Sequence, residues 1–137
     1  MPLTEVFLDT SYAIALVVPA DEHHGQALLL ADRIVADGAR LVTTRAVMVE
    51  IGNALSKRRH RGAAMQLLKA LEIDSAIEIV PDSEERYARA FALYCARADK
   101  DWGMTDCLSF VVMQDAGLTA ALTADEHFVQ AGFVKLL

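Results

Sequence analysis

The strongest constraint on the fold is the alternation of short apolar runs with longer segments of helical periodicity. Apolar runs that predict strands lie at residues 5–8, 40–43, 77–80, 119–122 and 133–136. Between them, apolar residues recur every three or four positions, which predicts helices. Strands that alternate with helices favour a parallel sheet. We therefore predict an α/β three-layer sandwich, in which a mainly parallel central sheet carries helices on both faces.

Local signals set the bounds of the predicted helices. The first begins near Ser11, and the second covers residues 22–37 and is stopped by Gly38. A long third helix, capped by Thr44, ends in a basic run before Gly62. The other predicted helices cover residues 63–72, residues 81–98 with a capping signal at Asp82 and Glu85, residues 105–116, and a short segment after Asp125.

The size of the chain predicts one domain over residues 1–137, because this length supports one apolar core without further staples. Apolar residues make up 54% of the chain, which is more than one small core needs. The excess predicts a second buried face, which is either a homodimer interface or a groove for another protein, while a tightly packed monomer stays possible.

Two observations bear on the compartment. The longest apolar run, from Tyr12 to Ala20, is too short to cross a bilayer, and the first five residues lack the basic start of a signal peptide. We therefore expect a cytoplasmic protein that does not contact a membrane. The two cysteines, Cys95 and Cys107, have neither zinc-knuckle nor redox spacing, so both are expected to be reduced core residues.

The net charge of −6 argues against a general nucleic-acid binder, which normally has a basic face. A nuclease that holds metal ions, however, must gather carboxylates, which count as negative in the sequence although bound cations offset them. Basic residues are also concentrated in one run, formed by Lys57, Arg58, Arg59, His60 and Arg61. Overall acidity therefore does not decide whether the partner is a nucleic acid.

Four acidic residues occupy positions that suggest a common site. Asp9 and Asp125 follow predicted strands, and ligands of open parallel sheets bind outside the carboxyl ends of the strands. Asp106 lies in the first turn of a predicted helix, where the positive helix end favours an anion. Glu50 interrupts the apolar face of its helix, and a carboxylate there needs a partner or a cation.

Each of these acids also has a purely structural explanation. Asp9, Asp106 and Asp125 can each serve as caps at helix starts, where Asp is common without any catalytic role. Glu50 can form an internal pair with Arg45 or with another arginine. Of the four histidines only His127 falls near the acids, and a surface or capping role explains it equally well.

Four segments together resemble the PIN-domain family, and specifically the VapC-type toxins of bacterial and archaeal toxin-antitoxin pairs. The resemblance covers nearly the whole chain. Its motifs are FLDTSY at residues 7–12, VEIGNAL at 49–55, DWGMTDCLSF at 101–110 and TADEHF at 123–128. One departure is Gly103, which stands after the tryptophan where relatives often have a small hydroxyl residue. No phosphate loop, GxSxG elbow or HExxH pair is present to suggest another enzyme class.

The resemblance implies a metal-dependent endoribonuclease with a PIN-like fold. It assigns metal binding and catalysis to Asp9, Glu50, Asp106 and Asp125, and supporting roles to Thr10, Ser11, Asn53 and Thr123. The implied cofactor is one or two Mg²⁺ or Mn²⁺ ions, because hard cations take oxygen ligands and offset the repulsion among crowded carboxylates. The implied partners are an RNA substrate and a cognate antitoxin. Asp101 is expected to be a solvated loop residue.

The basic run has two interpretations. It can end the helix that carries Glu50, where cations complement the negative helix end. Alternatively, Lys57, Arg58, Arg59 and Arg61 bind RNA phosphates. Two further functions stay open, namely a stand-alone PIN nuclease that processes RNA or cuts DNA flaps, and a module that binds RNA or protein without cutting.

Overall fold

Five parallel strands form one sheet in the computed structural model, which describes residues 2–137. The strands are β1 (Glu5–Leu8), β2 (Arg40–Thr44), β3 (Ile77–Val80), β4 (Ala120–Leu122) and β5 (Val134–Lys135). Their order across the sheet is β3-β2-β1-β4-β5, and all four pairings are parallel. The predicted α/β fold with a mainly parallel sheet is confirmed.

Seven helices connect and cover these strands. They are α1 (Thr10–Val17), α2 (His24–Asp37), α3 (Arg45–Ala54), α4 (Arg58–Ile73), α5 (Glu84–Ala96), α6 (Met104–Ala116) and α7 (Glu126–Gln130). The predicted stop at Gly38 is confirmed, because this glycine has a left-handed φ of 62° that residues with a side chain rarely adopt. The predicted cap of α3 is also confirmed, since the Thr44 hydroxyl accepts a hydrogen bond from the Val47 N–H.

The strand order places a switch point at the centre of the sheet. The chain proceeds from β1 outward through β2 to β3, and then crosses to the other side of β1 for β4 and β5. In open parallel sheets, the crevice for a ligand lies at this reversal, outside the carboxyl ends of the strands. Here the reversal lies between β1 and β4, directly before Asp9 and Thr123.

A chain of aromatic contacts runs through the core beneath this crevice. Phe7 in β1 lies 6.1 Å from Phe128 in α7, measured between ring centroids. Phe128 and Trp102 both pack edge-on against Phe110 in α6, at 5.0 Å each. Phe7, Phe110 and Phe128 are all essentially inaccessible to solvent. The four rings thus link β1, α7, α6 and the loop that precedes α6.

The structure corrects the long helix predicted after Thr44. Helix α3 ends at Ala54, and a second helix, α4, starts at Arg58 with Lys57 as its N-cap residue. Neither Gly nor Pro marks this break, so the sequence pattern did not reveal it. The basic run therefore occupies the start of α4 and not the end of α3. Its explanation as a complement to a negative helix end is wrong, because the N-terminal end of a helix is positive.

Two smaller predictions are also corrected. Helix α5 is capped by Ser83, whose hydroxyl accepts from the Arg86 N–H, and not by Asp82. Cys107 is buried as predicted, whereas Cys95 is exposed, because it lies on the solvent face of α5. Within residues 2–137, no helix combines the length and the apolar character needed to cross a membrane.

The corrected start of α4 predicts whether a charge reversal at Arg58 raises or lowers the free energy of unfolding. This exposed side chain is the first residue of α4, whose first turn contains no acidic residue. Arg58→Glu should raise the free energy of unfolding by about 0.3–1 kcal/mol at low ionic strength, because an anion is favoured at the N-terminal end of a helix. Urea denaturation measures the change, with Arg58→Gln as the intermediate control. Destabilisation by Arg58→Glu would place the basic run at a helix C-terminus instead.

Candidate active site

The Asp9 carboxylate is buried at the carboxyl end of β1, with only 5% of the residue exposed. Its Oδ2 accepts hydrogen bonds from the Thr123 hydroxyl at 2.7 Å and from the Ser11 hydroxyl at 3.0 Å. Burial is the main cause that raises the pKa of Asp9 to about 6, against the lowering effect of these hydrogen bonds. Asp9 is the N-cap residue of α1, but its side chain makes no capping hydrogen bond. The alternative that Asp9 serves as a side-chain cap is therefore wrong.

Ser11 and Thr123 join the ends of β1 and β4. Their hydroxyl oxygens lie 3.1 Å apart. The Ser11 hydroxyl accepts from the Ala124 N–H at 2.9 Å, and the Thr123 hydroxyl accepts from the Asp125 N–H at 3.0 Å. Both residues, named from the sequence as supporting groups, are thus in direct contact with Asp9 and with the turn that carries Asp125.

Asp106, Asp125 and His127 form a second group beside Asp9. The His127 Nδ1 atom lies 3.0 Å from Asp106 Oδ2 and 3.4 Å from Asp125 Oδ1. Each of the three residues offers one ligand atom within 4.8 Å of the other two, so the group has the spacing of a metal site. The sequence analysis did not assign His127 to the site. Its position two residues after Asp125, in the first turn of α7, was the available signal.

Two acids of this group, Asp106 and Asp125, cap helices and still have one carboxylate oxygen each for a ligand. Asp106 Oδ2 accepts from the Gly103 N–H at 3.1 Å, and Asp125 Oδ1 accepts from the His127 N–H at 2.9 Å, so both acids do cap helices. Each carboxylate has a second oxygen, which accepts no hydrogen bond from residues 2–137 in the structure. Helix capping by these two acids therefore uses one carboxylate oxygen of each and leaves the other available to a ligand.

Neighbouring negative charges raise the pKa of two carboxylates in this region, Asp9 and Asp106. Burial is the main cause that raises the pKa of Asp106, and the negative charge of Asp125 raises it further. The charge of Asp106 in turn adds to the elevated pKa of Asp9. No lysine or arginine side chain contacts these three acids within the part of the chain that the structure describes. Such a set of oxygen ligands and one imidazole fits a divalent cation, which would offset the repulsion.

No hydrogen bond joins Glu50 to the other predicted acids within residues 2–137, and Glu50 does not belong to the group formed by Asp106, Asp125 and His127. It is half-buried on α3, a helix that packs against α1 and α6, and it makes no hydrogen bond or ion pair within residues 2–137. Arg45, the proposed structural partner, instead pairs with Glu72. The alternative of an internal arginine pair for Glu50 is therefore wrong, and its carboxylate has no protein partner.

The side chains of the two remaining supporting residues make no hydrogen bond in this network, although the Thr10 backbone donates to the Asp9 carboxylate. Asn53 is exposed near the end of α3 and makes no hydrogen bond within the described part of the chain. Thr10 is buried at the start of α1, and its hydroxyl is a buried polar atom without a partner. The loop residue Asp101 is exposed, as expected, and Gly103 serves as the N-cap residue of α6.

Trp102 joins the two halves of the site in a way that the sequence did not reveal. Its indole N–H donates to the Gln130 side chain at 2.9 Å, and the Arg97 guanidinium lies 4.9 Å above its ring. Gln130 is the last residue of α7, whose first turn carries His127. The loop before Asp106 is therefore tied directly to the helix that follows Asp125.

The basic run lies at the start of α4, and the side chains of Lys57, Arg58, Arg59 and Arg61 are exposed there. Arg61 donates to the Ser56 carbonyl at 2.9 Å, and Arg59 contacts the neighbouring His60. The side chains of Lys57 and Arg58 have no hydrogen bond or ion pair within residues 2–137. These two cations are the ones available to an external anion.

A comparison with known protein families identifies the family to which this chain belongs. The PIN domain family model matches residues 6–134, so the chain belongs to the PIN domain family. Among curated proteins, it is similar to the 23S rRNA-specific endonuclease VapC20 of Mycobacterium tuberculosis. The identity is 26% over 132 residues, which cover 96% of this chain and 97% of that protein.

Solved structures give the same result. The crystal structure of VapC20 from Mycobacterium tuberculosis, described as a sarcin-ricin loop cleaving toxin, matches with a TM-score of 0.82 and 25% identity, covering 94% of this chain and 96% of that one. FitAcB from Neisseria gonorrhoeae matches with a TM-score of 0.65 and 16% identity, covering 95% of both chains. VapBC2 from Rickettsia felis, bound to a promoter DNA fragment, has a TM-score of 0.64 and 15% identity, and covers 96% of this chain and 97% of that one. The last two likenesses concern the fold alone.

The raised pKa of Asp9 predicts how the metal-free protein responds to pH. Because the folded pKa lies near 6 and the ordinary value is 3.8, folding favours the protonated acid. The stability that protonation contributes is complete below pH 3.8 and is lost as pH rises through 6, by about 3 kcal/mol at about 1.36 kcal/mol per unit. Asp9→Asn should therefore be more stable than the native metal-free protein at pH 7.

Urea denaturation in the presence of a chelator, at pH 4 and at pH 7, measures this difference. The Asp9→Asn variant should show its advantage at pH 7 and almost none at pH 4. Asp101→Asn, which removes an exposed carboxylate from the nearby loop, is the matched control and should change little at either pH. An Asp9→Asn variant no more stable than the native protein at pH 7 would show that burial of this charge is not costly.

Proposed function

We propose that this protein is a metal-dependent endoribonuclease, and that it acts as the toxin of a toxin-antitoxin pair. The single observation that carries the proposal is the group formed by Asp106, Asp125 and His127 beside the buried Asp9. This group lies at the switch point of a parallel sheet, where the fold provides a crevice for ligands. The similarity to the 23S rRNA-specific endonuclease VapC20 supports RNA as the substrate.

The proposed ligands of one or two Mg²⁺ or Mn²⁺ ions are Asp9, Asp106 and Asp125, with Glu50 as a further acid from α3. A bound divalent cation supplies Lewis-acid activation and charge stabilisation for phosphodiester hydrolysis. Ser11 and Thr123 orient the Asp9 carboxylate through their hydroxyl groups. We assign no contact to Asn53, because it lies outside this network, and Thr10 is a supporting residue only through its place next to Asp9.

The ring of His127 holds the carboxylates of Asp106 and Asp125 at a short separation. A hydrogen on Nδ1 can be donated to either carboxylate oxygen, since both lie within 3.4 Å. The same nitrogen, when unprotonated, is a ligand that suits Mn²⁺ better than Mg²⁺.

We propose that Lys57, Arg58, Arg59 and Arg61 guide the RNA backbone. At the start of α4 these cations lie beside backbone N–H groups that have no partner in the helix, and the two together attract phosphate. Cations at this end reduce helix stability, so the helix itself offers no reason for them. Lys57 and Arg58 have no protein partner and are the strongest candidates.

The cognate antitoxin, in this proposal, binds an apolar groove on the opposite side of β1 from β4. Helices α1, α2 and α4 enclose a cavity of about 170 Å³, lined by side chains such as Tyr12, Leu16, Ile34 and Leu67. The exposed side chain of Val35 lies at its rim. A groove of this composition fits the apolar face of an amphipathic helix. The homodimer stays a prediction, which sedimentation analysis of the isolated protein tests.

The proposed catalytic role of Asp106 predicts the effect of its neutralisation. Asp106→Asn keeps an oxygen that can accept from the Gly103 N–H, so the cap of α6 survives while a charge that binds the cation is removed. RNA cleavage should fall by two orders of magnitude or more, with about 1 kcal/mol or less lost in stability. Single-turnover cleavage of a ribosomal RNA fragment, together with urea denaturation, measures both quantities. Retained cleavage at the native rate contradicts the assignment.

The proposed RNA path predicts that loss of a basic side chain changes how RNA affinity depends on salt. Arg58→Gln removes one phosphate contact, so the slope of log affinity against log salt should flatten by about 0.7 for a single strand. Lys69→Gln is the matched control, because it removes the same charge from an exposed position about 16 Å further along α4. Fluorescence anisotropy with a labelled RNA across a salt series measures both slopes, and equal slopes for the two variants would place the RNA elsewhere.

A further inference from the structure

A cleft of about 590 Å³ opens beside the acidic group, and none of the residues assigned above to catalysis lines it. It lies between the C-terminal end of α5 and the loop that leads into α6. Its lining includes Tyr94, Cys95, Lys100, Asp101 and Gly103. Its volume is within the range of about 300–1,000 Å³ that is usual for small-molecule sites.

The cleft and the acidic group are joined by one residue, Gly103. Gly103 lines the cleft with its backbone and donates its N–H to Asp106 Oδ2 at 3.1 Å. Trp102, which also lines the cleft, is held by the Gln130 side chain and by Phe110. Only Gly103 therefore separates a ligand in the cleft from the proposed catalytic carboxylate of Asp106. On the Trp102 side, contacts with the core keep the lining of the cleft in place.

The side chains around the cleft have the chemistry that recognises a nucleobase. Tyr94 is 46% exposed and offers an aromatic face, on which an unpaired base can stack. Lys100 donates and Asp101 accepts hydrogen bonds, and Asp101 has no protein partner within residues 2–137. From these contacts we infer that the cleft binds an unpaired nucleobase of the RNA, next to the phosphodiester that is cut. The inference rests on the proposed ribonuclease function and adds a specificity site to it.

A second copy of the chain is the main competing occupant, since Tyr87 and Phe91 continue the exposed aromatic row of Tyr94 along α5. The lining of the cleft itself argues against this occupant. The buried centre of a protein interface is depleted in charged residues, whereas Lys100 and Asp101 both line the cleft. Charged groups next to an exposed aromatic ring suit a base, whose edge carries donors and acceptors.

Cys95 offers a direct reporter of occupancy. Its thiol lines the cleft and is exposed, while Cys107, the other cysteine, is buried. The rate of Cys95 alkylation by a maleimide can be followed by mass spectrometry, with Cys95→Ser confirming the site of reaction. The Asp9→Asn background removes a proposed metal ligand, so the RNA should stay intact with Mg²⁺ present. The cleft itself is left unchanged by this substitution, because Asp9 does not line it. The probes are a mixed-sequence RNA dodecamer and an abasic phosphodiester of the same length.

The RNA dodecamer should slow alkylation of Cys95 by about tenfold or more at saturation, and the abasic probe should not, because only the former carries bases. Tyr94→Ala should weaken RNA affinity by about tenfold and abolish the protection. Tyr87→Ala, the matched control from the same helix, should leave both unchanged, since Tyr87 does not line this cleft. Tyr94→Phe, which keeps the aromatic face, should restore the protection.

Three results would overturn the inference. Equal protection by both probes would mean that phosphate contacts alone occupy the cleft. Protection that rises with protein concentration in the absence of RNA would mean that a second copy covers it. Full reactivity of Cys95 while anisotropy shows bound RNA would place the base elsewhere, and this result leaves the ribonuclease proposal intact. The ribonuclease proposal itself is tested separately, and it fails if the native protein shows no metal-dependent RNA cleavage.

Discussion

Burial of a carboxylate without a cationic partner is the constraint on which this structure depends. Asp9 is almost inaccessible to solvent, and its desolvation is offset by hydrogen bonds from the hydroxyl groups of Ser11 and Thr123 and from the Thr10 backbone. An unpaired buried charge is costly, and here the cost appears as a pKa raised to about 6. Asp106 and Asp125 add negative charge to the same region. A fold that gathered these groups for stability alone would pair them with lysine or arginine, and no such pair is present within residues 2–137.

The rest of the fold keeps the acids in place despite their repulsion. The aromatic contacts from Phe7 through Phe128 and Phe110 to Trp102 connect the elements that carry the three acids. Burial of such rings contributes roughly 1.5–3 kcal/mol each, which is comparable to the electrostatic cost at Asp9. The apolar core therefore compensates for a charged crevice, as expected where function opposes stability.

The sequence predicted most of the fold and the members of the site that follow strands. Every strand was located within two residues at each end, because short apolar runs and the alternation with helices are local signals. The break between α3 and α4 was missed because no Gly or Pro marks it, and the residue that ends α3 is Leu55, a buried apolar residue that a helical pattern would continue through. His127 and the Trp102–Gln130 hydrogen bond were also missed, because they depend on contacts between residues more than 20 positions apart. Glu50 was found by its place on an apolar helix face, but its absence from the group formed by Asp106, Asp125 and His127 is a tertiary property that no local pattern contains.

The proposed metal site, in which Asp9, Asp106 and Asp125 surround a divalent cation, can be tested by anomalous diffraction from crystals of the protein soaked in Mn²⁺. Manganese is suitable because the donor set combines carboxylate oxygens with the imidazole of His127. We expect an anomalous peak at the crevice between β1 and β4, within coordination distance of the Asp106 and Asp125 carboxylates. A crystal in which Mn²⁺ binds only at other positions, with these carboxylates ordered and free of metal, would contradict it.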